Sequence, residues 1–250
     1  MNLGLRDRIA LVTGASSGIG AAAARIFAQE GANVIVCYHN NRQGAEETAN
    51  AIHNIGRRAW LCSIDLSSPA SVRNGIESLQ QEIDSLKIDA MVLCAGHNIV
   101  TPFERLSAEE WNTVININLN GPFYLLNAAA PLLADGAGIV TVASVAAQTG
   151  APHHAHYAAA KAGLVNLTKS AARALAPRVR VNCVAPGITL TPMGRATSET
   201  LDPNYARSRL LLQRFAEPEE IARTIVFIAS PAASFMTGAT IDINGGRNLR

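Results

Sequence analysis

The chain has 250 residues, 48% of them hydrophobic, which is enough to bury a full core and favours a single domain over residues 1–250. Its formal net charge is +2, from 21 basic and 19 acidic residues, and argues against nucleic acid or an anionic membrane as a partner. Because no apolar run approaches the roughly 20 residues that span a bilayer, and the start lacks a signal-peptide core, we expect a cytoplasmic protein without membrane contact. The four cysteines lie far apart in apolar runs, which favours reduced core thiols over disulfides or a metal site.

Strand and helix patterns alternate along the chain. The strands are predicted at 8–12, 33–38, 58–62, 90–94, 138–142, 180–184 and 239–243. The helices are predicted at 21–30, 42–55, 68–86, 107–133 with an interruption at Gly121-Pro122, around Tyr157, and at 217–229. This alternation predicts an α/β fold, with a doubly wound parallel sheet and helices on both of its faces. The stretch 186–204 is predicted to be irregular, as part of a substrate loop at about 186–215.

A glycine-rich segment, Thr13 to Gly20, joins the first predicted strand to the first helix. Glycines let the backbone approach a pyrophosphate closely, and the free N–H groups and dipole of the following helix favour its negative charge. A simple tight turn is the alternative. The flanking strand and helix favour a phosphate-binding loop.

Tyr157 and Lys161 are four residues apart, and on a helix this spacing places them on one face. A free tyrosine titrates near pH ~10, so we expect the charge of Lys161 to depress the pKa of Tyr157 toward the range of acid–base catalysis. Ser144, at the end of a strand-like run, precedes them by one loop and is placed to hydrogen-bond a substrate oxygen. An ordinary solvated helix face is the alternative, and the distant glycine loop argues against it.

These segments together resemble the short-chain dehydrogenases/reductases over essentially the whole chain, and most resemble the branch of 3-oxoacyl-(acyl-carrier-protein) reductases. The matching segments are the glycine segment 13–20, Asp65-Leu66, the segment 118–121, Ser144, the YxxxK pair Tyr157 and Lys161, the segment 182–191 and the segment 242–246. The resemblance implies a Rossmann-type fold that binds a nicotinamide dinucleotide. One segment departs from the family, because Leu93-Cys94-Ala95-Gly96 stands where Asn-Asn-Ala-Gly is usual and a thiol replaces an amide.

The resemblance also implies roles for individual residues. In reversible hydride transfer between nicotinamide C4 and a carbonyl or secondary alcohol, Tyr157 donates the proton and Ser144 fixes the substrate oxygen. Lys161 binds the nicotinamide ribose, and Asn118 positions a water that leads to Lys161. The implied cofactor-binding residues are Gly14, Ser16, Ser17, Gly18, Ile19, Gly20, Tyr38, His39, Asn40, Arg42, Asp65, Leu66, Cys94, Ala95, Gly96, Tyr157, Lys161, Pro186, Gly187, Ile188, Thr189 and Thr191.

The end of the second predicted strand bears on the choice of cofactor. Family members that prefer NAD commonly carry an acidic residue there, which repels a 2′-phosphate. This chain has Tyr38, followed by His39, Asn40, Asn41 and Arg42, so we predict NADP over NAD by a modest ratio. NAD stays possible, because Ser17 occupies the site where many NADP-preferring members place a basic residue.

The substrate is less defined than the reaction. A 3-oxoacyl thioester is the leading prediction, with sugars, polyols and cyclic alcohols as alternatives; a non-catalytic dinucleotide sensor or a methyltransferase has no use for the Ser-Tyr-Lys set. Candidate residues that line the substrate pocket are Thr189, Leu190 and Met193. Four arginines further along, Arg195, Arg207, Arg209 and Arg214, either bind an anionic group of the substrate or are ordinary solvated charges. The histidines His153, His154 and His156 are expected to shape the substrate entrance or to lie in a solvated loop, rather than to bind a metal. From the resemblance, the small-residue helices at 104–133 and up to 176 predict a homotetramer.

Overall fold

A parallel sheet forms the centre of the molecule. Within residues 2–199 and 201–249, which the computed structural model describes, it contains seven strands. They are β1 (Ile9–Thr13), β2 (Asn33–Tyr38), β3 (Ala59–Ser63), β4 (Ile88–Leu93), β5 (Leu133–Val142), β6 (Val179–Pro186) and β7 (Thr240–Ile243). Their order is β3-β2-β1-β4-β5-β6-β7, with every neighbouring pair parallel. The winding reverses between β1 and β4, and sheets of this kind bind ligands beside that point, at the carboxyl ends of their strands.

Helices cover both faces of this sheet. They are α1 (Gly18–Gln29), α2 (Arg42–Asn54), α3 (Pro69–Glu82), α4 (Ala108–Ile115), α5 (Gly121–Ala129), α6 (Ala146–Thr149), α7 (Ala155–Leu175), α8 (Pro192–Ser198), α9 (Tyr205–Arg209) and α10 (Pro218–Ala229). A π-helical turn, Asn116–Asn120, joins α4 to α5. Over the described part of the chain, no helix is both long enough and apolar enough to cross a membrane.

Alternating side chains give the sheet two apolar faces, each with its own core. Val12 of β1 belongs to the cluster that includes Phe27 of α1 and Ile225 of α10. Its neighbour Leu11 belongs to the opposite cluster, which includes Leu125 of α5. Because β1 is buried on both sides, it forms a firm base for the loop that leaves its carboxyl end.

The predicted α/β fold with a doubly wound parallel sheet is confirmed. The strand predictions agree to within two residues at each end, except that β5 begins at Leu133 rather than at 138. The predicted interruption at Gly121-Pro122 is wrong. Pro122 lies in the first turn of α5, where a missing N–H is tolerated, and the π-helical turn carries the chain through from α4.

Two further predictions of secondary structure differ from the fold. Helix α1 begins at Gly18, inside the glycine segment, rather than at 21, while the helix predicted to reach 86 ends at Glu82. The stretch 186–204 is not irregular throughout, because it contains α8. Thr191 caps this helix by accepting a 3.0 Å hydrogen bond from the Gly194 N–H, and Pro192 occupies its first turn.

Candidate active site

The carboxyl ends of the strands open onto one large cavity. Its volume is about 1260 Å³, and its lining residues include Thr13, Tyr38, Cys94, Ser144 and Pro186, which end or follow β1, β2, β4, β5 and β6. Every residue that the sequence predicted as a cofactor contact lines this cavity, with the exception of one arginine in α2. The cavity therefore extends along the edge of the sheet on both sides of the switch between β1 and β4.

The glycine loop is shaped for close backbone contacts. Gly14 has φ of 65°, and a Cβ added there would lie 2.9 Å from the Cα of Ala95. A Cβ on Gly20 would collide with the carbonyl of Gly14, so α1 packs directly on the loop. At the start of α1, Ser17 makes no side-chain cap, which leaves the first N–H groups of the helix available to an anion in the cavity.

Thr13 fastens the glycine loop to the end of β4. Its hydroxyl oxygen accepts hydrogen bonds of 3.0 Å from the N–H groups of both Cys94 and Ala95, and it donates to the carbonyl of Val92 at 3.3 Å. Burial raises the pKa of the Cys94 thiol to about 12, so this group is a neutral thiol rather than a thiolate. Thr13 was not among the predicted site residues, although it is the first residue of the glycine segment. Its hydrogen bonds hold the segment Cys94-Ala95, in which a thiol replaces the asparagine that is usual in the family.

The far end of the cavity is lined by Tyr38, His39 and Asn40, which end and follow β2. Asp65 lines it from the end of β3, and hydrogen bonds from the Ser67 hydroxyl and N–H, at 2.7 and 2.8 Å, help to hold the pKa of this carboxyl below its usual value. No carboxylate follows directly on β2. The residues that follow β2 therefore add no negative charge of their own beside Tyr38.

Arg42 is the predicted cofactor residue that lies outside the cavity. As the first residue of α2, its guanidinium pairs with Glu46 one turn later, at 2.8 Å, and its side chain is 72% exposed. The i,i+4 spacing explains this pairing, because both side chains occupy the same face of α2. The structure therefore does not place Arg42 in the cavity, where it was predicted to contact the cofactor. An exposed ion pair such as Arg42–Glu46 is weak.

Tyr157 and Lys161 lie on α7 beside Ser144, and all three line the cavity. The Lys161 side chain is buried, donates to the Val142 carbonyl at 2.8 Å and has its Nζ 5.5 Å from the centre of the Tyr157 ring. Burial raises the pKa of Tyr157 to about 12, opposed by a hydrogen bond with Ser144. Burial likewise lowers the pKa of Lys161 to about 8. The expected depression of the tyrosine pKa by Lys161 is therefore not met in this structure, where loss of solvent around the phenol has the largest effect.

Asn118 does not line the cavity; it lies fully buried in the π-helical turn. Its amide nitrogen donates to the carbonyls of Val114 and His97 at 2.9 and 2.7 Å, and its oxygen accepts from the His97 N–H at 3.3 Å. The Asn118 side chain is thus satisfied by the protein itself. It ties the helix that packs on α7 to the segment that follows β4.

The other end of the cavity is lined by His153, His154, Thr189 and Met193. Leu190 and His156, which the sequence also suggested, do not line it. His156 is fully buried, and its Nε2 has no hydrogen-bond partner within the described residues. In the same described ranges, no three His, Cys, Asp or Glu side chains are grouped so that they could hold a metal ion.

None of the four arginines suggested as substrate contacts lines the cavity, and one of them, Arg214, pairs with Glu220 at 2.7 Å. An arginine that sequence reasoning missed, Arg247, does line it. The only signal for it was its position just after the C-terminal segment 242–246 that the family comparison had already singled out.

Comparisons with known proteins agree with this geometry. A family model described as enoyl-(acyl carrier protein) reductase matches residues 14–248. The 3-oxoacyl-(acyl-carrier-protein) reductase FabG of Staphylococcus aureus is 38% identical over 240 residues, covering 95% of this chain and 96% of that protein. The cis-4-hydroxycyclohexanecarboxylate dehydrogenase of Sinomonas cyclohexanicum is 38% identical over 244 residues and 96% of each chain. A short chain dehydrogenase of Burkholderia cenocepacia, solved in complex with NADP, aligns with a TM-score of 0.91 and 31% identity over 100% of both chains.

The order of the strands, with a glycine loop beside the point where the winding reverses, defines a Rossmann-type sheet. Together with the similarity to these relatives, it identifies a nicotinamide-dependent oxidoreductase. Because the family model spans nearly the whole chain and full-length relatives share 38% identity, the chain belongs to the short-chain dehydrogenase/reductase family. Its reaction is hydride transfer between nicotinamide C4 and a carbonyl or secondary alcohol. The resemblance inferred from the motifs is confirmed.

Proposed function

We propose that Tyr157, Ser144 and Lys161 carry out the proton transfer that accompanies hydride transfer. The observation that supports this is that all three side chains line the cavity that the glycine loop also lines. In reduction, the Tyr157 hydroxyl gives its proton to the carbonyl oxygen, and the Ser144 hydroxyl hydrogen-bonds that oxygen as it gains charge. A phenol whose pKa lies at about 12 is protonated at neutral pH, which suits the donor role. The family model's description concerns an enoyl double bond, whereas two hydroxyl donors fit a carbonyl oxygen better.

The described residues fit a nicotinamide dinucleotide. The dinucleotide, when bound, supplies or accepts the hydride. Its pyrophosphate would lie against the N-terminus of α1, where the loop approaches so closely that a Cβ on Gly20 would collide with it. Lys161 would hold the ribose hydroxyls, and Asp65 would face the adenine. Asn118 supports the segment after β4 through its bonds to His97, and the remaining lone pair of its amide oxygen would accept from a water that leads to Lys161.

NADP is the proposed preference, with NAD as the alternative. The support is that Tyr38, His39 and Asn40 leave the end of β2 without a carboxylate of its own, the one acidic lining residue among the described residues being Asp65, after β3. Arg42 contributes if it exchanges its contact with Glu46 for the phosphate, which costs little because the pair is exposed. The NADP complex of the Burkholderia cenocepacia relative is compatible with this preference.

For the substrate, a 3-oxoacyl thioester is the first candidate, because the Staphylococcus aureus relative is named as such a reductase. A cyclic hydroxy acid is the second, favoured by the equally similar Sinomonas cyclohexanicum dehydrogenase and by an arginine, Arg247, in the cavity. The test is to mix purified protein with NADPH or NADH and a panel of carbonyl compounds and follow the loss of absorbance at the nicotinamide band. Dinucleotide binding without turnover of any compound would favour a sensor instead.

The proposal extends to organisation. A single domain over residues 1–250 carries out both dinucleotide binding and catalysis, and residues 186–215 form the loop that covers the substrate. The protein forms a homotetramer through α4, α5 and α7, and the four unpaired cysteines suit the reducing cytoplasm.

A further inference from the structure

The charge of the cavity changes from one end to the other. Among the described residues, its one acidic lining residue is Asp65, at the end beside Tyr38. The opposite end carries Arg247, together with the imidazoles of His97, His153 and His154. Burial lowers the pKa of His154, so this ring is neutral near pH 7, whereas an arginine keeps its charge at any such pH. The substrate end is therefore positive, and Arg247 is the permanent charge in it.

A tight turn in the C-terminal segment fixes the backbone of Arg247. The Asn244 side chain accepts from the Gly246 N–H at 2.9 Å and donates to the Asn248 carbonyl at 3.0 Å. Gly246 has φ of 77°, which a residue with a side chain rarely adopts. Arg247 closes this turn, because its N–H donates to the Asn244 carbonyl at 3.2 Å.

The same turn is tied to the segment that carries Ser144. The Asn248 amide donates to the Gln148 side chain at 2.7 Å, and Gln148 belongs to α6, the short helix that begins two residues after Ser144. The Ser144 hydroxyl itself accepts from the Ala146 N–H of this helix at 3.1 Å. The turn that carries Arg247 is thus hydrogen-bonded to the helix that follows Ser144, and both side chains line the same cavity.

The guanidinium of Arg247 rests on an aromatic ring and, among the residues that the structure describes, has no counterion. It lies over the ring of Tyr205, 5.7 Å from its centre, and Tyr205 in turn stacks on Phe215 at 6.4 Å. None of the ion pairs between described residues includes Arg247, and its side chain stays exposed to the cavity. Its hydrogen-bond donors are thus available to a ligand, in the planar arrangement that matches a carboxylate.

We infer that Arg247 binds the carboxylate of the substrate, and that the substrate is a small oxo or hydroxy acid whose carboxylate lies away from the reacting carbon. This rests on the proposed function, in which Ser144 and Tyr157 hold the reacting oxygen, and it favours the second substrate candidate, the cyclic hydroxy acid, over the 3-oxoacyl thioester. The other anion with the same chemistry is the phosphate of a pantetheine-linked thioester. The carboxylate is favoured because the turn that carries Arg247 is bonded directly to the helix that follows Ser144, whereas the phosphate lies at the far end of a long arm.

The test compares two ketones that differ only in charge, 4-oxocyclohexanecarboxylate and its methyl ester, with NADPH as reductant. Arg247→Gln should lower kcat/KM for the acid at least tenfold, mainly through KM, and leave the ester within about twofold of the wild-type protein. Arg247→Lys should recover part of the loss. The matched control is Arg207→Gln, which removes an exposed arginine of α9 that does not line the cavity. It should leave kcat/KM unchanged for both the acid and the ester.

Two further arms separate the possible failures. If Arg247→Gln impairs acetoacetyl-coenzyme A but neither the acid nor acetoacetyl-N-acetylcysteamine, which has no phosphate, the anion is the pantetheine phosphate and the carboxylate inference is overturned. If no ketone is turned over, the proposed function fails, and calorimetric titration of the acid into the NADPH-loaded protein still decides the role of Arg247. Equal affinity of wild-type protein and Arg247→Gln for the acid overturns the inference.

Discussion

The phenol oxygen of Tyr157 can be removed with almost no change in packing, since phenylalanine has the same ring. Tyr157→Phe should leave folding and dinucleotide binding nearly intact and lower turnover by at least about a hundredfold, the scale of a lost general acid. Circular dichroism and a dinucleotide titration report the first two properties, and the initial rate of NADPH oxidation reports the third. Near-normal turnover would show that another group donates the proton.

Lys161 offers a test of electrostatics that needs no substrate. Burial lowers its pKa in the folded protein to about 8, while in the unfolded chain it titrates near pH ~10.4. Between these values the unfolded chain binds the proton and the folded protein does not, so this group makes the free energy of unfolding rise with pH. Below pH ~8 both states are protonated, and the burial of the charge destabilises the fold at every such pH.

Between pH 7 and pH 9.5 we expect Lys161 to raise the free energy of unfolding by about 2 kcal/mol. The rise is about 1.4 kcal/mol for each pH unit above the folded pKa. Urea unfolding of the wild-type protein and of Lys161→Met at both pH values measures it, at one protein concentration. The other titrating groups, including Tyr157 and Cys94, are common to both proteins, so the difference between them isolates Lys161. A difference that does not change with pH would contradict a lowered lysine pKa. Lys161→Met should also weaken dinucleotide binding and turnover, because the ammonium serves both.

At the level of elements, the first turn of α2 is proposed to determine how tightly the 2′-phosphate of NADP is bound. Arg42→Ala should lower kcat/KM with NADPH by about tenfold, the size of one charge-assisted contact, and leave kcat/KM with NADH almost unchanged. Glu46→Gln is the matched variant, because it removes the partner that holds Arg42 at 2.8 Å and should improve NADPH use slightly. The ratio of kcat/KM for the two cofactors gives the result. If NADH is better by tenfold or more, the interpretation of the segment from Tyr38 to Arg42 is wrong.

The elements that the sequence predicted well are those with a strong local signal. The period-two and continuous apolar runs located the strands, and the three glycines of segment 13–20 located the loop that meets Ala95. The π-helical turn at Asn116–Asn120 was missed, because it differs from an α-helix in its main-chain hydrogen bonding, which the residue pattern does not report. Helix α8 was missed because a Thr-Pro start in a polar, small-residue stretch resembles a loop.

Side-chain positions in the site were harder to predict than backbone positions. Arg42 was expected in the cavity from its place in the sequence, but its direction is set by Glu46, one turn further along α2. Arg247 enters the cavity through a turn bonded to Gln148, about a hundred residues away in the chain, and no local pattern reveals such a contact. The pKa of Tyr157 depends on burial by many neighbours, which the spacing to Lys161 does not report.

On the scale of the whole molecule, the outer faces of α4, α5 and α7 expose several apolar side chains. On α5, Phe123 is 50% exposed, and on α4, Trp111 is 38% exposed. On α7, the exposed positions include Ala159 and Ala162, whose small side chains allow another helix to approach closely. The helix that presents the proposed catalytic Tyr157 on one side therefore has a second side suited to helix packing between subunits.

We therefore expect a homotetramer with two-fold interfaces, in which α5 and α7 of one subunit pack against the same helices of another. A charge in such an interface would be buried without a partner, so Phe123→Glu should shift the protein to dimers or monomers at micromolar concentration. Light scattering coupled to gel filtration measures the mass, and Phe235→Glu, which alters a fully exposed residue after α10, tests whether a surface charge alone has this effect. A monomeric mass for the wild-type protein would contradict the tetramer. Since Phe123 and Trp111 would then face water in the active form, their exposure would have to be explained by a different partner on the same face.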